Sequence, residues 1–176
     1  FKNVSVEPVV GKEDDPYALQ ESDLPALEAE YEKLAAWLRD HPETNFFHFN
    51  VDLAQGPCVI KRLRGCGAGC EYVAITPEGD IYPCHQFVGN PDYRLGSVYD
   101  GSFDTQLSGR FAALNIYTRP GCRDCWARFY CSGGCSASNL LVNGDIKTPH
   151  EVGCRLERKR LECAIALKAI AAGMAE

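Results

Sequence analysis

The chain has 176 residues, 45% of them apolar and 24% charged, which is enough to bury a core as one domain or as one plus a small second one. A net charge of −6 without a basic tail argues against nucleic acid as the main partner, and no apolar run approaches a membrane span. Ten cysteines without a secretory signal segment favour metal over disulfides, and so a reducing cytoplasm.

Phe1 to Val10 reads as a buried strand, with β-branched Val4, Val6, Val9 and Val10 and a strand end marked by Pro8. It begins abruptly, as in a fragment of a longer protein. Glu7 sits near the carboxyl end of this strand, where α/β folds bind ligands, and is one candidate catalytic group. Asp23 and Pro25 open a helix whose apolar face is Leu24, Leu27, Tyr31, Leu34, Ala35 and Leu38, and His41-Pro42 closes it. Phe46 to Leu53 alternates as a second strand, with His48 on its polar face. Strand, helix, strand is the pattern of a parallel sheet.

Past Gly56-Pro57 the texture changes, and a domain boundary is expected near residues 55–64. Cys66 and Cys70 form a C-x3-C pair on a glycine-rich loop. Tyr72 to Thr76 and Asp80 to Pro83 read as a hairpin across Pro77-Glu78-Gly79, which brings Cys84 back beside Cys66 and Cys70. Leu95 to Val98 is a short extended piece. Phe103 to Leu114 reads as a helix with Phe103, Leu107, Phe111 and Leu114 on one side.

Cys122, Cys125, Cys131 and Cys135 follow, spaced C-x2-C-x5-C-x3-C. Thiolates so close in sequence can converge on a soft metal centre, and Gly133 and Gly134 let the backbone fold around it. After an Asn143-Gly144 turn comes Cys154, then a closing helix from Arg155 to Ala172 with Arg158-Lys159-Arg160 on its solvated face. Cys66, Cys70, Cys84, Cys122, Cys125, Cys131, Cys135 and Cys154 make eight ligands, two full sets for two [4Fe–4S] clusters. Zinc knuckles usually stand further apart than these two pairs. Cys58 and Cys163 read as ordinary apolar-site thiols.

Cys66-x12-Gly79-x4-Cys84, a gap, the four-cysteine array, a second gap and Cys154 resemble the seven-cysteine signature of the SPASM domain, across about residues 60–160. That domain extends many radical S-adenosylmethionine (SAM) enzymes that mature peptides. Within them the chain looks closest to maturases of six-cysteines-in-forty-five (SCIFF) peptides, through Cys125-Trp126-Ala127-Arg128-Phe129-Tyr130-Cys131-Ser132-Gly133-Gly134-Cys135, Asn143-Gly144-Asp145-Ile146 and Arg160-Leu161-Glu162-Cys163-Ala164-Ile165.

The resemblance implies an α/β fold. Residues 1–55 are the last units of a radical-SAM partial barrel, residues 56–64 a linker, residues 65–155 a small cysteine-rich α+β domain and residues 156–176 a C-terminal helix. It implies an enzyme joining a peptide cysteine sulfur to a backbone carbon in a ribosomally made, cysteine-rich precursor peptide, after a 5′-deoxyadenosyl radical removes a hydrogen from that carbon. It divides the ligands by crossing. Cys66, Cys70, Cys84 and Cys135 hold auxiliary cluster I, and Cys122, Cys125, Cys131 and Cys154 hold auxiliary cluster II. An external carrier such as flavodoxin or ferredoxin, and an anaerobic host, belong to the same expectation, with neither nucleic acid nor membrane as partner.

The radical-generating C-x3-C-x2-C motif is absent here, so SAM and its own [4Fe–4S] cluster are expected in an N-terminal part beyond this chain. His85 stands where sulfatase-maturing relatives carry an Asp base, which makes it a second catalytic candidate. Tyr82 and Arg128 are further candidates for contact with peptide. Two rival readings are a zinc module that binds protein or nucleic acid, and a plain electron carrier.

Overall fold

The computed structural model describes residues 1–12, 14–52 and 63–173. Strand β1 (Asn3–Val4), helix α1 (Leu24–Asp40) and strand β2 (Asn45–Phe46) form the expected βαβ unit, with β1 and β2 parallel in the register Asn3 to Asn45 and Val4 to Phe46. The parallel pairing requires the crossover that α1 supplies.

Helix α1 takes its entry from a 3-10 turn over Glu21–Asp23. Asp23 caps that turn by accepting the Gln20 N–H at 2.9 Å and makes no side-chain cap on α1 itself. Pro25 lies in the first turn, as expected.

Both strands are shorter than their valines and phenylalanines suggest. Among the described residues β1 pairs with one neighbour, and Val4, Val6 and Val9 are exposed, so the expected buried strand is a solvent-facing edge here. After Phe46 the chain tightens into a 3-10 turn at Phe47–Phe49. A three-residue period replaces alternation: Phe46 and Phe49 are buried and Phe47 points out. Leu53 and Cys58, with most of the expected linker, lie outside the described residues.

The hairpin is as expected. Strands β3 (Ala74–Ile75) and β4 (Asp80–Tyr82) pair antiparallel, Ala74 opposite Tyr82, and β5 (Gly96–Ser97) adds to the far edge of β4. Gly79 has φ +81°, a conformation that a side chain resists, and a β-carbon there would strike the Tyr99 ring. Helix α2 (Thr105–Ala112) is capped by Asp104, whose carboxylate accepts the Leu107 N–H at 2.8 Å. Leu107, Phe111 and Leu114 face inward, but Phe103 precedes the helix and is exposed. Phe87, Tyr93 and Phe111 pack as a three-ring core beneath the small sheet.

Three helices build the remainder: a single turn α3 (Arg128–Cys131), α4 (Ser136–Asn143) and the long α5 (Glu151–Ala171). Gly144, in the left-handed conformation, ends α4, so the expected turn there is a helix C-cap. Helix α5 starts at Glu151 rather than Arg155, which puts Cys154 inside its first turns.

α5 packs along α1. Leu24 meets Val152 and Leu156, and Leu38, Leu34 and Tyr31 meet Leu161, Cys163 and Ala164. Each fully buried leucine contributes about 1.5–3 kcal/mol. Glu28 with Arg155, and Glu32 with Lys159, flank the seam. This packing overturns the solvated-face reading of Arg158-Lys159-Arg160. Arg160 is 7% exposed and donates to the Tyr31 hydroxyl at 3.0 Å and to the Val6 carbonyl at 3.3 Å. Among the described residues no helix is long and apolar enough to cross a membrane.

Candidate metal centre

Local backbone chemistry shapes the cysteine array. The Cys125 N–H donates to the Cys122 carbonyl at 3.2 Å and closes the C-x2-C turn. α3 follows and stops at Cys131. Ser132, Gly133 and Gly134 then carry φ values of 59°, 90° and 72° in succession. Three left-handed residues curl the chain around the Cys131 sulfur, which accepts from the N–H groups of Gly133 and Gly134. Cys135 leaves the curl as N-cap of α4.

Cys154 is brought to this array by α4. Asn139, 1% exposed, accepts the His150 N–H at 3.0 Å, and the His150 carbonyl accepts the Cys154 N–H at 3.0 Å. The amide of α4 therefore anchors the start of α5 and sets where Cys154 stands.

Cys84 lies two residues past β4 as the N-cap of a 3-10 turn at His85–Phe87, and the N–H groups of Gln86 and Phe87 donate to its sulfur. The loop carrying Cys66 and Cys70 is tied to the hairpin by the Gly69 N–H, which donates to the Pro83 and Tyr72 carbonyls. The Cys70 thiol donates to the Gly67 carbonyl at 3.4 Å.

The thiols fall into two groups. Cys122, Cys125, Cys131 and Cys154 line one cavity of about 290 Å³, room for about ten waters. Cys122 feels Cys125, Cys131 feels Cys122, and Cys154 feels both Cys131 and Cys122. Cys84 instead feels Cys135 and Cys66, and Cys70 feels Cys66. The second group is more open, with Cys66, Cys70 and Cys135 exposed and Cys84 buried.

Burial is the main force on the thiols. It raises Cys70, Cys84, Cys122 and Cys131, and pushes Cys154 up to about 12. Among the described residues no three His, Cys, Asp or Glu side chains gather closely enough to hold a single metal ion. A cubane cluster takes one thiolate at each of four iron corners and tolerates wider spacing than one ion does.

Buried donors support the fit of such a group. Arg128 Nε and Asn139 Nδ2 are buried with no hydrogen-bond partner among the described residues. Arg128 lines the first cavity beside its four cysteines. Asn139 lines a second cavity of about 570 Å³ together with Cys131, Cys135 and Cys154. A buried orphan donor is costly, and a sulfide-rich anion beside it offers an acceptor.

The remaining candidates separate. Glu7 lines the second cavity and pairs with His48 at 3.0 Å. Burial, and then the Arg160 charge, hold the His48 imidazole below its usual pKa against the pull of Glu7. His85 is exposed at the 3-10 turn after Cys84. Tyr82 is buried in the core beneath the sheet, so it offers a peptide no surface. Arg128 lies over the Phe129 ring, 4.6 Å from its centroid, and donates to the Cys125 carbonyl at 3.1 Å, which leaves it a wall of the first cavity.

Sequence reasoning missed Arg119, Asn139 and Glu157. Burial raises the Glu157 carboxyl, opposed by Arg160, and Glu157 lines both cavities. The available signal for Glu157 was its helical spacing from Cys154, which puts it on the same face of α5. Nothing local marks Arg119 or Asn139.

Comparison with known proteins bears on this geometry. Residues 66–126 match the model of the SPASM family, an iron–sulfur cluster-binding domain, a stretch that includes Cys66, Cys70, Cys84, Cys122 and Cys125. Mycofactocin maturase MftC of Mycolicibacterium smegmatis is 31% identical over 109 residues, covering 60% of this chain and 27% of that protein. The solved structure of native anSMEcpe with bound AdoMet and Kp18Cys peptide superposes with a TM-score of 0.63 at 18% identity, over 96% of this chain and 48% of that one. A histidine-tagged form of anSMEcpe with bound AdoMet gives a TM-score of 0.62 at 17% identity, over 97% and 46%. The chain thus spans about a quarter of the curated relative and about half of the solved chains. Its fold is the one it shares with these solved chains: an α/β architecture in which a parallel βα unit is followed by a small cysteine-rich α+β region with a hairpin and a C-terminal helix.

Proposed function

We propose that this chain is the C-terminal part of a radical SAM enzyme that forms thioether crosslinks, from Cys sulfur to backbone carbon, in a ribosomally made cysteine-rich peptide. The reading assigns residues 1–55 to the barrel, 56–64 to a linker, 65–155 to the auxiliary-cluster domain and 156–176 to a closing helix. SAM and a third cluster belong to an N-terminal part. The observation that supports it is a single cavity lined by Cys122, Cys125, Cys131 and Cys154, with Cys84 coupled instead to Cys135 and Cys66. The maturase relative supports the choice of peptide maturation.

Cys122, Cys125, Cys131 and Cys154 hold one [4Fe–4S] cluster in this reading, and Cys66, Cys70, Cys84 and Cys135 the other. When bound, the clusters supply an electron acceptor and iron beside which a substrate thiol is deprotonated. The chain's own groups prepare for that. Four backbone N–H groups, from Gly133, Gly134, Gln86 and Phe87, favour the thiolate forms of Cys131 and Cys84. Burial of Cys122 and partial burial of Cys154 limit solvent at those two thiols. Glu7, paired with His48, lines the second cavity, where its carboxylate can accept from a peptide amide. His85, exposed beside Cys84, serves as a hydrogen-bonding group of the more open centre. Electrons pass to a small soluble carrier of the flavodoxin or ferredoxin type, in the reducing cytoplasm of an anaerobe.

Iron and acid-labile sulfide content after anaerobic reconstitution tests this reading. The full-length protein should hold about twelve irons, about eight of them auxiliary. Zinc without acid-labile sulfide overturns the reading in favour of a zinc module. Clusters without peptide crosslinking by the full protein favour an electron carrier.

A further inference from the structure

Arg119 is 4% exposed and sits close to thiols of both sets, Cys122 and Cys131 of one and Cys135 of the other. Its stem crosses Gly133, between Cys131 and Cys135: a β-carbon built on Gly133 would lie 2.6 Å from Arg119 Cδ and 2.9 Å from Nε. One guanidinium nitrogen donates to the Ser136 hydroxyl at 2.7 Å, next to Cys135. The other donates to the Ile146 carbonyl at 2.7 Å and the Lys147 carbonyl at 3.2 Å. Its own carbonyl accepts the Cys122 N–H at 3.4 Å. The side chain is held by neutral groups.

The Asp145 carboxylate is spent on the Lys147 and Thr148 N–H groups and the Thr148 hydroxyl. The thiols of Cys122, Cys135 and Cys131 act on Arg119 more strongly than Asp145 does, and they span both groups. A buried cation whose hydrogen-bond partners among the described residues are all neutral is expensive. A cluster bound by four thiolates carries net negative charge, and one on each side would surround the guanidinium with anions.

We propose that Arg119 is the shared counter-cation of the two cluster sites, a positioning residue that favours loading of both and raises the reduction potential of each. The proposal rests on the two-cluster reading above. A fixed positive charge stabilises the more negative, reduced form of any cluster beside it, and one buried charge between two sites acts on both.

The test is an EPR-monitored redox titration of the auxiliary clusters in the full-length holoenzyme, alongside iron and sulfide content, for wild type, Arg119→Lys and Arg119→Gln. Arg119→Gln should shift both clusters to more negative potential, and Arg119→Lys should stay near wild type. Loss of clusters from Arg119→Gln alone, with Arg119→Lys still loaded, also supports the proposal. Equal loss from both variants overturns it, because the fork of hydrogen bonds rather than the charge then matters. A shift in one cluster only, or in neither, overturns it while leaving the cluster reading intact. Wild-type protein without acid-labile sulfide overturns both together.

Discussion

A β-carbon on Gly133 would lie 2.6 Å from Cδ of Arg119, so these two residues fit together only because position 133 carries no side chain. Gly133 also has φ +90°. Gly133→Ala therefore meets backbone strain and a clash with a buried stem at once. We expect a loss of about 1–3 kcal/mol in unfolding free energy by urea titration, with fewer irons retained per chain. Gly144→Ala is the comparison: its φ is also positive, but nothing lies within 4 Å of the added carbon, so a smaller loss and full iron content are expected.

The buried Arg160 joins α5 to α1 and to the segment after β1, at Val6, and faces Glu157 at 3.8 Å. Arg160→Met leaves the Glu157 carboxylate without its nearest cation and should cost about 3–5 kcal/mol. Adding Glu157→Gln removes the stranded charge, so the double variant should recover part of that loss. A double-mutant cycle on urea unfolding measures the coupling, and strict additivity would refute the pairing.

Cys70 separates a complete second ligand set from an open one. Its thiol belongs electrostatically with Cys66, beside the hairpin that delivers Cys84. Cys70→Ala in the full-length protein should lose one auxiliary cluster, about four irons. Retention of all the iron with loss of turnover would instead make Cys70 a gate. Cys163→Ala, in the α1–α5 seam, should leave the iron count unchanged.

Cluster-free protein should weaken in alkali. Burial holds the Cys154 thiol up near about 12, above the roughly 8.5 of an unfolded chain, and raises Cys84, Cys122 and Cys131 as well. The unfolded chain then releases protons that the folded one keeps, so stability is intact below about pH 8.5 and falls as pH rises through the folded values. The slope approaches about 1.4 kcal/mol per pH unit for each such thiol. Urea midpoints from about pH 8 to about pH 11 should fall, and Cys154→Ala should flatten the fall. A flat profile in the parent protein would refute it.

Much of this architecture was legible from short-range pattern. The apolar face of α1, the Gly79 hairpin and the C-x2-C and C-x3-C spacings each depend on neighbours a few residues apart, where backbone geometry alone decides the outcome. The strand read from Phe46 to Leu53 failed for the same local reason: alternation of phenylalanines does not reveal a 3-10 turn that turns Phe47 outward. Arg158-Lys159-Arg160 looked solvated because charge is the stronger prior on a helix, yet α1 covers Arg160.

By itself the sequence determined the number and type of candidate ligands, because thiol chemistry and close spacing leave few alternatives. Tertiary structure alone decided which thiols line one cavity, that Asn139 sets Cys154 in place, and that Arg119 sits close to Cys122, Cys131 and Cys135 at once. Those relationships join residues far apart in the chain through burial and hydrogen bonding, and neither leaves a periodic trace in the sequence.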